Sequence, residues 1–209
     1  MSYPLWLGFL AAVIVVALSP GPSAVTCMSS GLRHGVLRSL PAVAGLQAAL
    51  IIQLLVVAAG LGAVIAASAT AFFLLKLAGA AYLIWLGIQR WRAAATPPVD
   101  PDAASLPDHQ GWALFMQGLL VNLTNPKAIV FIAALVPQFI DPHAPQLPQF
   151  LIIGLTMCGI DSLVMTGYAT LAARCRQWLS RPDWMRWQNR FFGTLFITAG
   201  ALLARSQRA

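Results

Sequence analysis

Two short stretches carry the chemistry that this sequence offers: Ser19-Pro20-Gly21-Pro22-Ser23 and Thr124-Asn125-Pro126-Lys127. Each interrupts a long run of apolar residues. Proline removes a backbone donor and clashes with the preceding turn, and glycine brings no side chain to pack, so both stretches should break a helical hydrogen-bond ladder. In hydrocarbon, each freed amide or carbonyl costs several kcal/mol unless protein or a water-filled cavity receives it. The breaks should therefore line an interior. A helix that restarts after such a break presents unpaired N–H groups and a partial positive charge, which suits an anion such as a carboxylate. Lys127 would add a full charge, and Ser23, Thr26, Ser29 and Ser30 would add hydroxyls. A simple kink sealed by neighbouring helices would account for one proline. Two prolines around a glycine, matched by Asn-Pro-Lys elsewhere, favour a functional gap.

Few other polar groups stand inside apolar segments. Asp161 lies midway along LIIGLTMCGIDSLVMTGYATLA, where a charge would cost roughly 2.5–3.5 kcal/mol at a helix centre, so it should face the bundle interior with a partner. Lys76, in FFLLKLAGAAYLIWLG, is the candidate partner. Two readings stay open: a structural ion pair, or a proton-carrying carboxylate. Gln47, Gln53, Ser162, Thr166 and Tyr168 could hydrogen-bond a cargo, although such residues also join helices to one another. The sequence contains no hydrolase triad, HExxH, dinucleotide glycine loop or phosphate loop, so active transport would have to run on an ion gradient. His34, His109 and His143 have no ligand spacing, and Cys27, Cys158 and Cys175 have neither metal nor redox spacing. No metal, cofactor or disulfide is expected.

The elements that must position these groups are membrane helices. Of 209 residues, 59% are hydrophobic and only 9% charged, against roughly 25% charged in ordinary soluble domains. The net charge of +7 comes from basic residues flanking apolar runs, which argues for orientation in a bilayer and against nucleic acid. The first apolar run lacks a basic leader and reads as a retained span. Spans of about 20 residues are expected at 4–31 (broken), 41–67, 69–89, 112–139 (broken), 150–173 and 191–204. The two breaks stand 105 positions apart, about half the chain. GAAYLIWLG at 79–87 answers GTLFITAG at 193–200. The expected fold is all-α: six transmembrane helices in a single membrane domain, with three-helix repeats at 1–92 and 112–209 joined by the Pro- and Asp-rich loop at 93–111. Three being odd, the repeats would be inverted, each opening on a broken helix. Counting Arg in the loops gives nine (33, 38, 90, 92, 174, 176, 181, 186, 190) against two (205, 208), placing both termini outside the cytoplasm. An unbroken helix over 4–31 would be roughly 42 Å long, so that segment must tilt, extend or re-enter.

SPGPSAVTCMSSGLRHG, AVAGLQAALIIQ, LKLAGAAYLIWLGIQ, FMQGLLVNLTNPKAIVFIAALVPQFI and RFFGTLFITAGALL, in this order over nearly the whole chain, resemble the LysE/RhtB superfamily of amino-acid exporters. The resemblance implies a small bacterial inner-membrane permease, proton-driven and homodimeric, that exports amino acids or close derivatives. It also implies that Ser19 to Pro22 and Asn125 to Lys127 are the family's broken-helix motifs, and that Lys76 and Asp161 are its intramembrane charges. The stretch RCRQWLSRPDWMRWQNR, 174–190, departs from the pattern and reads as a cytoplasmic interface segment without a substrate role. Residue physics alone leaves a passive channel or small-cation exporter as the alternative, with a cargo-free membrane scaffold as a third class.

Overall fold

A computed structural model describes residues 1–67, 69–93, 111–141, 144–174 and 182–205. Residues 94–110 of the expected connecting loop, His143, Cys175 and Arg176, Arg181 and Arg208 lie outside those residues, as does the side chain of Lys76, while Gly111, the expected last loop residue, opens α4. Among the described residues the fold is all-helical, without strands. The helices are α1 Tyr3–Leu18, α2 Pro22–Ala67, α3 Ala69–Arg92, α4 Gly111–Leu123, α5 Pro126–Val130, α6 Gln146–Arg174 and α7 Pro182–Arg205. A π-helical turn, Phe131–Leu135, and a 3₁₀ turn, Val136–Phe139, extend α5.

Both proline stretches end a helix. At Ser19 the backbone turns extended (φ −74°, ψ 117°), and α2 restarts with Pro22 in its first turn, where a missing N–H costs nothing. The second break bends the α4 axis by 53° relative to Pro126–Phe139. There Asn125 caps α5, its side-chain oxygen accepting the Lys127 N–H at 3.0 Å. A third interruption falls in the gap expected between the spans at 4–31 and 41–67: Gly35, at φ +75°, splits α2 into a front arm, 22–34, and a long rear arm, 36–67. Only glycine holds that left-handed backbone without strain, and it turns the chain back before Pro41.

By length and apolar composition, Pro22–Gly60 and Gln146–Arg174 can each cross a membrane, and the bent α4–α5 pair makes a third candidate. Helix α7 starts at Pro182 and so takes in part of the Arg- and Trp-rich stretch ahead of the span expected at 191–204.

Glycines set the closest approaches. A Cβ on Gly45 would overlap the Phe115 carbonyl of α4, and one on Gly118 would overlap the Ala42 carbonyl of α2, so these two helices touch backbone to backbone. Small residues at crossings are how helices pack where lipid gives no hydrophobic drive for association. Helices α3 and α7 meet in the same way through Gly87, Gly193 and Gly200. One core cluster joins Phe9 and Val13 of α1 to Leu50 and Leu54 of α2, Phe131 and Ile132 after the second break, and Ile153 and Met157 of α6. A second joins Ala24, Cys27 and Met28 of α2 to Met165, Tyr168 and Ala169 of α6. The two breaks lie between these clusters.

Candidate functional site

The breaks meet. Asn125 Nδ2 donates to Ser23 Oγ (3.0 Å), and Ser23 Oγ donates to Asn122 Oδ1 (3.0 Å), linking residues about a hundred positions apart. Asn122, 3% exposed, is the hub of this network. Its Nδ2 donates to the Leu46 carbonyl (2.9 Å), and its own carbonyl accepts from Gln53 Nε2 (2.9 Å). Buried polar groups of this kind hold a unique arrangement only when each finds a partner. Nothing in the sequence reading singled out Asn122. The signal available was a second asparagine three residues ahead of Asn125, in the last turn before the break.

The carbonyl end of α1 points into the same region. Lys127 Nζ donates to the carbonyls of Val16 (2.9 Å) and Ser19 (2.7 Å), and Tyr168 Oη donates to that of Leu18 (2.6 Å). The last carbonyls of a helix have no intrahelical partner and carry the negative end of its dipole. A lysine ammonium is the complementary cap. In this conformation, then, the positive groups expected to receive a carboxylate are turned inward: the Lys127 ammonium serves α1 and the Lys127 N–H serves Asn125.

Asp161 faces the interior of α6 and accepts from Gln47 Nε2 at 2.8 Å. The partner expected from the sequence, Lys76, sits on α3, and its side chain lies outside the described residues. Ser23, Asn122, Asn125, Lys127 and Asp161 line one cavity of about 40 Å³, walled by Val13, Leu50, Phe131, Ile132, Met157 and Met165. That volume holds one or two waters and falls far below the ~300 Å³ of small-molecule pockets. The cavity is too small for a cargo in this conformation. Thr124 stays exposed, its hydroxyl turned back on the Leu120 carbonyl (2.8 Å), and Ser19, Pro20, Gly21 and Pro22 form the first break itself. Three side-chain oxygens near the breaks, those of Ser19, Gln47 (Oε1) and Gln53 (Oε1), are buried without a hydrogen-bond partner among the described residues.

Comparison with known proteins shows which family the chain belongs to. Residues 14–207 match the family described as LysE type translocator. The chain belongs to that family. It is 46% identical to the homoserine/homoserine lactone efflux protein of Salmonella typhimurium over 209 residues, all of both chains. It is 44% identical to an uncharacterized membrane protein of Vibrio cholerae, over 99% of this chain and all of that one. The leucine efflux protein of Klebsiella pneumoniae is 29% identical over 97% of this chain and 95% of its own length. No solved structure matches. This LysE-type translocator is thus a membrane protein of an amino-acid efflux family, one of transporters and not of enzymes. The small cavity between its broken helices is the candidate translocation site.

Proposed function

We propose that the protein is a secondary active exporter, proton-coupled, of small amino acids and derivatives that keep a free amino group, acting in the bacterial inner membrane. The observation that carries this reading is the meeting of both helix breaks, with Asp161 and Lys127, around one small cavity. A pocket of this size can pass a cargo only if the helices around it part, first toward one face and then toward the other. Bundles that rock around a midplane site built from discontinuous helices work in that way.

In this reading the six segments are two inverted three-helix repeats, 1–92 and 112–209, with both termini periplasmic. The face-to-face pairing of α3 with α7, the third segment of each half, supports the repeat. The names of the relatives support the choice of cargo. Homoserine and its lactone share an α-ammonium, and the lactone has no free carboxylate, so a site that serves both must anchor the ammonium. In this reading Asp161 anchors that ammonium or carries the coupling proton, and the carboxylate contact becomes secondary.

The test is flux of labelled homoserine and leucine into liposomes holding the purified protein, with and without a proton gradient. Saturable flux accelerated by opposing protons is expected. Unsaturable flux indifferent to the gradient would replace the exporter by a channel.

A further inference from the structure

The carbonyl end of α1 is a built cation site. Val16 and Ser19 turn their carbonyl oxygens on one ammonium, Lys127 Nζ, at 2.9 and 2.7 Å. The Ser19 side chain, 0% exposed, has an unpartnered hydroxyl in the same turn. The fourth contributor is the helix dipole, which is negative at this end. What fills the site is a primary ammonium, R–NH₃⁺, with three donors in a compact head. The α-amino group of an amino acid is the same chemical group.

We propose that these carbonyls are the binding site for the cargo ammonium, and that Lys127 occupies the site as a tethered substitute while the carrier is empty. This rests on the exporter reading above. On loading, the cargo ammonium takes the Val16 and Ser19 carbonyls as Nζ leaves, so one cation replaces another and no carbonyl is left bare in a low-dielectric interior. The displaced Nζ remains within the cavity that it shares with Asp161. There it pairs with that carboxylate, or with the cargo carboxylate where the cargo has one. On release, Nζ returns to α1 and closes the empty carrier.

This assignment separates two kinds of flux. Exchange of cargo for cargo carries an ammonium in both directions and does not need Lys127 at the α1 carbonyls. Net efflux requires the empty carrier to return, and that step needs the tethered ammonium. In liposomes holding the purified protein, Lys127→Met is expected to lower net homoserine efflux about 10- to 100-fold, the range set by losing charged hydrogen bonds, and to lower homoserine exchange by much less. Methylammonium, small enough to refill the site, should restore net efflux to the variant. In the unmodified protein methylammonium should compete with cargo, and acetate should not. Unchanged net efflux in Lys127→Met overturns the proposal. So does joint loss of exchange and net efflux with no restoration by methylammonium. Competition by acetate in place of methylammonium overturns it without any variant. If the unmodified protein moves no amino acid, the exporter reading itself falls, whereas amino-acid flux without these ammonium effects removes this assignment alone.

Discussion

Asn125 and Ser23, one from each helix break and 102 positions apart, are hydrogen-bonded at 3.0 Å. That bond makes the two interruptions a single structure. Each break frees backbone groups that the bilayer would not solvate: Lys127 of the second receives carbonyls at the first, and Gln53 of α2 receives the Asn122 and Leu123 carbonyls. Lys127 serves the carbonyl end of α1, while Asn122 and Asn125 hold Ser23 at the start of α2.

Asn122→Ala leaves the Ser23 hydroxyl and the Leu46 carbonyl without their partner in a buried site. A loss of about 1–3 kcal/mol is expected, read as a lower unfolding midpoint of the purified protein in detergent. Unchanged stability would mean that water or rearranged side chains serve those groups equally well.

Helix contact gives a paired prediction. Gly118→Ala would push a methyl into the Ala42 carbonyl, forcing α2 and α4 apart, and should cost about 1–3 kcal/mol. Gly159→Ala meets nothing within 4 Å and should be neutral or slightly stabilising. Equal effects of the two substitutions would show that the α2–α4 approach is not as close as described.

Asp161→Asn retains an oxygen to accept from Gln47 Nε2 and removes the charge. The variant should fold and reach the membrane, yet fail to accelerate efflux under a proton gradient. Full gradient-driven transport by this variant would retire Asp161 from coupling.

Membrane orientation is testable with single cysteines in a background lacking Cys27, Cys158 and Cys175. Leu37, beside the Gly35 turn, is 80% exposed. A cysteine there should react with an impermeant maleimide only after lysis, whereas one at Ser2 should react on intact cells with a permeabilised outer membrane. The reverse pattern would invert the assignment of the termini.

Much of this site was legible in the sequence because proline and glycine inside an apolar run leave little structural choice. Both breaks, the helical class and the inward placement of Asp161 follow from the cost of bare polar groups in hydrocarbon. The partners were less legible. Asp161 accepts from Gln47, a partner the sequence did not assign to it, since the register of α2 against α6 places that amide opposite, while the side chain of Lys76, the charge paired with Asp161 from the sequence, lies outside the described residues. Apolar residues lie all round both helices, so no stripe in the sequence marks the facing side. The direction of Lys127 was likewise hidden. Its bonds to Val16 and Ser19 span more than a hundred residues and depend on how two bent segments cross. The turn at Gly35 falls in the gap expected between the spans at 4–31 and 41–67, although the helix resumes at once after it and not at Pro41.

The central claim is that the cavity between the breaks moves solutes by their ammonium group. Counterflow of labelled homoserine in liposomes holding the purified protein, challenged with unlabelled competitors, measures this most directly. Homoserine lactone and homoserine methyl ester, which keep the ammonium and lack a free carboxylate, should compete, while N-acetylhomoserine and 4-hydroxybutyrate, which lack the ammonium, should not. Competition by the second pair and indifference to the first would contradict the account.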